Sequence, residues 1–203
     1  MMQLIGMLDS PYVRRVAVSM HWLGLPFEHR PVSVFRQYAE FSAINPVVKA
    51  PTLVCDDGTV LMESGLILEY LESLANTRLW PAPGAARLQA LRATGLALAA
   101  CEKTVQIVYE LQLRPPEKQH APWLERVRGQ AEAAFDALET ELARTPWPRQ
   151  AQRLTQAGVS AAVAWSFAQR MLPGQLSAAR CPHLASFTDW AETLDVFTRA
   201  PMD

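Results

Sequence analysis

Cysteine and histidine, two residue types that carry much of the chemistry of small proteins, are scarce in this 203-residue sequence. Its three cysteines, Cys55, Cys101 and Cys181, are odd in number and far apart. This spacing argues against a disulfide framework and predicts ordinary reduced thiols. The four histidines show no ligand spacing with one another or with the cysteines. The sequence therefore predicts no metal site.

An excess of charge and long apolar runs are also missing. Lysine and arginine total 19 against 20 acidic residues, and no basic cluster is longer than Arg14-Arg15, so a nucleic-acid-binding face is not indicated. The most apolar later window, residues 94–101, is far shorter than the roughly 20 residues of a membrane-spanning helix. Residues 1–7 lack the basic start and apolar core of a signal peptide. We therefore expect a cytoplasmic protein with no nucleic-acid or membrane partner.

Strand and helix patterns alternate in the first part of the chain. Residues 3–7 predict a strand, and apolar residues at helical spacing then continue as far as Gly24. Residues 27–32 predict a second strand. The short helix that follows must end near Asn45-Pro46, because proline disfavours helix in the residue before it.

A hairpin and a third helix complete this part. Residues 52–55 and 59–62 are apolar runs joined by Asp57-Gly58, a strong turn signal. Ser64 is the expected cap of the next helix, whose apolar residues form one stripe. The predicted order is β-α-β-α-β-β-α.

The remainder of the chain shows only helical patterns. A linker is predicted at 77–84, where prolines and Gly84 interrupt the periodicity, so we expect one domain at 1–76 and an all-α domain at 85–203. Its predicted helices are 86–113, 123–144, 159–172 and 183–197. The third of these is apolar almost all round, as expected of a buried helix, and Thr155 is its expected cap.

The chain is organised around residues 8–15, where the predicted first strand is followed by a helix. Ser10 is suited to the N-cap and Pro11 to the first helical position. The N-terminus of a helix presents backbone donors and a positive dipole end, which favour an anion such as a thiolate. The plainer interpretation is that Ser10-Pro11 merely starts the helix.

The predicted order of elements resembles the thioredoxin-fold half of a cytosolic glutathione S-transferase, and the all-α second domain fits as well. The motifs that carry the resemblance are residues 10–15, 45–53, 63–67 and 70–71, and the nearest match is the bacterial serine-type group. The stretch 154–157 also resembles the start of that family's buried sixth helix. The expected fold is an N-terminal thioredoxin-like βαβαββα domain followed by an all-α helical domain.

Three residues depart from the family pattern. Val48 stands where glycine is usual, and Ala50 stands where valine is usual. Gly158 replaces an aspartate that reciprocates the cap of the sixth helix. Because Gly158 is a poor helix former and leaves Thr155 without a reciprocal partner, Gly158→Asp is expected to stabilise the protein.

The resemblance implies a site for glutathione, which acts as co-substrate, with no metal. It assigns the ammonium of the γ-glutamyl group to Glu63, and its α-carboxylate to Ser64 and the following N–H groups. Pro51 would be a cis-proline that exposes the backbone of Ala50 to the cysteinyl unit, and Lys49 would lie near the glycyl carboxylate. Arg36 is a weaker candidate for that last task. In the plainer interpretation Glu63 is a surface acid, Ser64 a cap and Lys49 a solvated lysine.

The catalytic residue implied by the resemblance is Ser10, whose hydroxyl would lower the pKa of the glutathione thiol. Glutaredoxins of the same fold have Cys-Pro-Tyr-Cys here, but Ser10 and Val13 replace both sulfurs, so dithiol redox chemistry is excluded at this site. A pocket for an apolar co-substrate could be lined by Tyr12, Val105, Tyr109 and Trp165. Residues at helical spacing are, however, more often core.

The leading hypothesis is a glutathione S-transferase that activates the glutathione thiol as a thiolate for attack on a small, apolar electrophile. One alternative is a non-catalytic glutathione- or ligand-binding protein of the same fold. Another is a glutathione-dependent isomerase or dehalogenase.

A homodimer is expected, because the helix at 86–113 has an apolar face and the family pairs through the corresponding helix. That face comprises Leu88, Leu91, Gly95, Leu96 and Ala99. It could instead only cover the first domain of its own chain.

Overall fold

The computed structural model describes residues 1–202, which form two compact units. The first unit comprises Met1–Leu79 together with the C-terminal stretch that begins at Thr193, and the second comprises Trp80–Glu192. Each unit has its own buried apolar residues and is described by itself below.

The first unit contains a four-stranded sheet. Its strands are β1 (Met2–Ile5), β2 (Phe27–Arg30), β3 (Thr52–Val54) and β4 (Val60–Met62), in the order β2-β1-β3-β4. β1 is parallel to β2 and antiparallel to β3, which is antiparallel to β4. Leu4 of β1 lies opposite Leu53 of β3, and neither is exposed to solvent. The centre of the sheet is therefore apolar.

Three helices complete the pattern that the sequence predicts: α1 (Pro11–Leu23), α2 (Tyr38–Ile44) and α3 (Ser64–Leu74). Ser10 caps α1, and Gly24 ends it in the left-handed conformation at φ 68°, with its N–H bonded to the carbonyl of His21. Left-handed backbone at this position favours glycine. The βαβαββα order gives the thioredoxin-like arrangement expected above.

The last predicted helix is wrong in its extent. The segment predicted as one helix at 183–197 forms two helices, α7 (Pro182–Glu192) and α8 (Asp195–Thr198), because Leu194 adopts an extended conformation between them.

After Leu194 the chain packs into the first unit. Arg14 is only 2% exposed, and its Nε donates to the Ala200 carbonyl at 2.8 Å. Its guanidinium lies 5.6 Å from the ring centre of the fully buried Phe197.

The second unit is built from helices. These are α4 (Ala85–Gln112), α5 (Ala121–Arg144), α6 (Gln156–Met171) and α7, with short 3₁₀ turns between them. α6 is buried on nearly every side, as its sequence predicts, and Thr155 caps it by accepting a hydrogen bond from the Gly158 N–H at 3.2 Å. Within residues 1–202, no helix is long and apolar enough to cross a membrane.

Gly158 of α6 is closely packed, which argues against the expectation that aspartate would stabilise this position. A Cβ built on Gly158 would lie 3.1 Å from Cζ of Phe187 and 3.2 Å from Cδ1 of Leu154. Both distances are shorter than ordinary carbon contacts. The absence of a side chain at Gly158 lets α7 pack closely on α6. The stability from this packing opposes the stability that a reciprocal cap would add.

We expect Gly158→Ala to lower the free energy of unfolding by about 1–2 kcal/mol, since overpacking outweighs the better helix propensity of alanine. We expect Gly158→Asp to destabilise the protein as well. Urea unfolding followed by far-ultraviolet circular dichroism measures both effects.

Gly129 provides the matched control. It is exposed on α5, and a Cβ there would meet nothing within 4 Å. Gly129→Ala should therefore stabilise the protein by about 0.5–1 kcal/mol. Stabilisation by both alanine variants would contradict the packing role of Gly158.

Candidate functional site

Ser10 lies at the start of α1, where the loop after β1 turns into the helix. Its carbonyl accepts from the Arg14 N–H at 2.9 Å, and its hydroxyl oxygen lies 3.5 Å from the Val13 nitrogen. The second contact is long for a hydrogen bond. The half-buried Ser10 hydroxyl is therefore held only weakly by its cap contact and can donate its proton to an anion at the helix N-terminus.

The loop before β3 lies beside the Ser10 loop. Gly6 follows β1 at φ 136°, and a Cβ there would lie 2.6 Å from Cγ2 of Val13 and 3.2 Å from the Cβ of Ala50. Only glycine fits this approach without displacing its neighbours. The Ala50–Pro51 peptide bond is cis, in agreement with the expectation from the resemblance.

Asn45 organises the loop that leads to Pro51. It is 4% exposed, and its Nδ2 donates to Oγ1 of Thr52 at 2.9 Å while its Oδ1 accepts from the Val47 N–H at 3.0 Å. The Thr52 hydroxyl in turn donates to the Lys49 carbonyl at 2.8 Å. The side chain of Lys49 is exposed at the loop surface. The sequence identified Asn45 as a helix end and as part of the 45–53 motif but did not indicate its bond to Thr52, which lies on β3.

Glu63, not Ser64, is the cap of α3. Its backbone has φ 74°, which is rare for a residue other than glycine, and its carboxylate accepts from the N–H groups of Gly65 at 3.0 Å and Leu66 at 3.1 Å. Ser64 is the first helical residue. The N–H groups expected to hold a ligand carboxylate are thus occupied by the side chain of Glu63.

Ser64 is buried and has a partner that the sequence did not indicate. It is 1% exposed, and its hydroxyl oxygen accepts from Nη1 of Arg15 at 2.9 Å. It also lies 3.4 Å from a carboxylate oxygen of Glu63. Arg15 is itself 1% exposed. The sequence did contain a sign of this contact: two arginines stand among the apolar residues of α1, and a buried arginine needs a polar partner.

The candidate co-substrate residues are divided between the two units. Tyr12 is half-buried in the first turn of α1, whereas Val105 is half-buried and Tyr109 is 44% exposed on α4. Trp165 is 4% exposed on α6 and packs edge-on against Phe135, with ring centres 5.2 Å apart. Trp165 therefore has the position of a core residue, which is the alternative stated for it above.

The cysteines are unsuited to act as nucleophiles. All three are buried thiols outside any disulfide. Burial raises the pKa of the Cys55 thiol, and burial followed by the charges of Glu139 and Asp136 raises that of Cys181 to about 11. Both remain protonated at neutral pH. Nowhere in residues 1–202 do three histidine, cysteine or acidic side chains gather into a group that could hold a metal ion.

Comparisons with known proteins agree on one family. The model of the glutathione S-transferase N-terminal domain matches residues 4–79. A GST-like protein of Escherichia coli K12 is 26% identical over 98% of this chain and 97% of its own. A Methylobacterium radiotolerans glutathione S-transferase, solved with glutathione sulfonate, has a TM-score of 0.89 at 28% identity and covers 98% of this chain and 93% of its own. A Pseudomonas fluorescens family member, solved with glutathione, has a TM-score of 0.84 at 28% identity over 100% of both chains.

Val48, in the loop that Asn45 organises, adopts φ 52°, and this explains why glycine is usual at its position. A β-branched residue in left-handed backbone costs free energy that glycine avoids. We expect Val48→Gly to be more stable than Val48→Ala by about 1 kcal/mol. Chemical denaturation of the two variants tests this.

Both substitutions remove the packing of the half-buried Val48 side chain, so their difference isolates the backbone effect. An alanine variant as stable as the glycine variant would show that position 48 is not left-handed in solution.

Proposed function

Because the chain belongs to the glutathione S-transferase superfamily, we propose that it binds glutathione through its first unit and activates the thiol as a thiolate for attack on a small, apolar electrophile. The observation that carries this proposal is the weakly engaged hydroxyl of Ser10 at the N-terminus of α1. The solved relatives that contain glutathione or its sulfonate add support.

Glutathione needs three differently charged subsites, and the first unit supplies candidates for each. The Glu63 carboxylate and the Ser64 hydroxyl would hold the ammonium and α-carboxylate of the γ-glutamyl group. The backbone of Ala50, before the cis-proline Pro51, would pair with the cysteinyl unit. Lys49 would attract the glycyl carboxylate.

Binding in this mode requires one local rearrangement. The Glu63 carboxylate now accepts from the N–H groups of Gly65 and Leu66. A ligand carboxylate would replace it there and form the same kind of charge-assisted hydrogen bond. The displaced Glu63 side chain would then turn to the ligand ammonium. The donors at the start of α3 remain satisfied throughout, so the exchange avoids the cost of orphaned N–H groups.

Arg15 is the positioning residue in this scheme. The hydrogen bond from Arg15 occupies a lone pair of the Ser64 oxygen, so the hydroxyl proton that Ser64 now donates to Glu63 can pass to a ligand carboxylate once Glu63 turns away. Its buried positive charge also favours an anion beside Ser64. Arg15 would thus orient the donor that the α-carboxylate needs.

The energy required at Ser10 is modest. A free thiol has a pKa of about 8.5, and lowering it by about two units requires roughly 2.7 kcal/mol of preferential stabilisation of the thiolate. A hydroxyl donor to a charged acceptor contributes about 1.5–3 kcal/mol, and a helix N-terminus adds about 0.3–1 kcal/mol. These two contributions suffice without a general base.

The electrophile remains defined only as small and apolar. Of the candidate co-substrate residues, Tyr12 of the first unit stays in the proposal because part of its side chain is exposed, whereas Val105 and Tyr109 of the second unit stay predictions from the sequence. Trp165 leaves it because the ring is enclosed in the core of the second unit.

Ser10→Ala should raise the pKa of the bound thiol and lower turnover of chlorodinitrobenzene at neutral pH by about ten-fold or more. Glutathione affinity should change only a few-fold, and activity should recover partly as pH rises, because hydroxide then generates the thiolate. Ultraviolet titration of the bound thiolate measures the pKa directly.

Thr155→Ala is the matched control, since it also removes an N-cap hydroxyl, on α6. Both variants should lose about 1 kcal/mol of stability. Only Ser10→Ala should move the thiol pKa. An identical thiol pKa in wild type and Ser10→Ala would defeat the catalytic role.

Glu63→Gln should weaken glutathione binding by about five- to ten-fold, which corresponds to roughly 1–1.5 kcal/mol. The effect is modest because Glu63 is exposed and solvent screens its pairing with the ligand ammonium. The glutamine oxygen can still accept from the N–H groups that Glu63 caps, so the fold should persist. Isothermal titration calorimetry measures the dissociation constant.

Glu69→Gln, an exposed change on α3, is the control and should leave the affinity unchanged. Equal affinities of wild type and Glu63→Gln would make Glu63 a cap alone. Glutathione binding without turnover of chlorodinitrobenzene would favour the binding protein, or an isomerase or dehalogenase with another substrate.

We also propose that the protein is a homodimer. Leu88 is 70% exposed and Leu91 is 48% exposed on α4, so the apolar face predicted on this helix retains surface that a second copy could bury. Sedimentation velocity at micromolar concentration should give twice the mass of one chain. Leu88→Glu should shift the population toward monomer, and a wild-type monomer would refute the proposal.

A further inference from the structure

The second unit contains a cleft of about 310 Å³, outside the residues assigned to glutathione. It is formed by the end of α5, the connection that follows it, and the first turns of α7. This volume lies at the lower end of the range for small-molecule sites. The cleft can therefore accept one compact ligand.

One wall of the cleft is aromatic. Trp147 packs edge-on against Phe187, with ring centres 5.2 Å apart at 89°. Phe187 is 3% exposed and is also in contact with Trp190, at 5.3 Å between ring centres. Trp147 is half-buried, so part of its side chain stays exposed beside Phe187. Leu142 and Pro146 extend the apolar lining. A planar ring would find a preformed stacking surface here.

The positive charge of the cleft is on Arg149. Its Nη2 donates to the Ser186 hydroxyl at 2.7 Å, and no carboxylate within residues 1–202 forms an ion pair with it. Other arginines of this unit, such as Arg92 and Arg144, pair with Glu141. The uncharged Ser186 hydroxyl orients the Arg149 guanidinium without neutralising its charge. The remaining N–H groups of the guanidinium can bind a carboxylate.

His183 also lines the cleft, and it is engaged by Glu139. Glu139 accepts from the N–H groups of His183 at 3.0 Å and Leu184 at 2.9 Å, at the start of α7. Burial raises the pKa of Glu139, but these hydrogen bonds outweigh it and the pKa is lowered overall. The helix N-terminus is thus already capped by a carboxylate. Arg149 is left as the group that can recognise an anion.

We propose that this cleft binds a small aromatic carboxylate, with its ring against Trp147 and its carboxylate on Arg149. The apolar wall and the unneutralised guanidinium lie in one cleft of suitable size. Neither feature alone selects this class of ligand, because a neutral ring would forgo the guanidinium and an aliphatic acid would forgo the ring contact. Binding involves no covalent step.

The test uses naphthalene-2-carboxylate and the full chain labelled with 5-fluorotryptophan. The chain has six tryptophans, so its ¹⁹F spectrum should contain six resonances, and Trp147→Phe identifies that of Trp147. Addition of the carboxylate should shift the Trp147 resonance in a saturable manner. The shift should persist with glutathione present at saturation. Absence of a Trp147 shift at millimolar ligand would refute the site.

Two comparisons test the recognition of charge. Arg149→Gln should weaken binding, measured at the Trp147 resonance, by about ten-fold or more, since a charge-assisted hydrogen bond is lost. Arg153→Gln removes an exposed arginine four positions away and should have no effect. Naphthalene-2-carboxamide should bind about ten-fold more weakly than the carboxylate. Equal affinities of amide and carboxylate, or equal losses in both arginine variants, would overturn the proposal.

Discussion

The hydrogen bond from Arg15 to Ser64 is the contact on which the geometry of the first unit depends. It joins the second turn of α1 to the first residue of α3, and each helix starts at a proposed glutathione contact. Both residues are 1% exposed, so the bond forms away from competing water. A hydrogen bond to a charged group contributes about 1.5–3 kcal/mol, and loss of either partner would forfeit it. The spacing between Ser10 and Ser64 is therefore held by a contact that is costly to break.

The two loops beside this contact are held by different means. Gly6 allows the Ser10 loop to approach Ala50, since any Cβ would overlap Val13. Asn45 holds the opposite loop through the Thr52 hydroxyl and the Val47 N–H. Short polar bonds thus fix the conformation of a loop whose Val48 is in an unfavourable backbone region. The proposed pairing of Ala50 with the cysteinyl unit uses backbone groups, and backbone groups can bind a ligand only where loops are fixed in this way.

The second unit shows how one absent side chain shapes its surroundings. Gly158 admits the Phe187 ring, and Phe187 in turn supports Trp147, which forms the wall of the cleft. Gly158, which in the sequence stands out only because it replaces a capping aspartate, is thus the point at which α7 packs on α6. The cleft near Arg149 depends on this packing, because a Cβ at position 158 would press against the ring of Phe187.

Local patterns in the sequence determined most of the secondary structure. The Ser10 cap, Gly24 stop, Asp57-Gly58 hairpin and proline breaks each rest on interactions within a few residues, so periodicity and capping preferences were sufficient to predict them. The resemblance to glutathione S-transferases supplied the cis-proline and the family. The exact ends of strands, which depend on pairing with other strands, were less accurate.

The tertiary structure alone decided which side chains meet. Arg15 with Ser64, Arg14 with Ala200, and Gly158 with Phe187 are contacts between elements far apart in the chain, and no spacing rule connects them. Glu63 rather than Ser64 caps α3 through a backbone conformation, at φ 74°, that capping preferences do not predict for glutamate. Trp165 could be assigned to the core only after Phe135 was placed beside it. Local preferences fix elements, whereas burial and long-range hydrogen bonds fix the site.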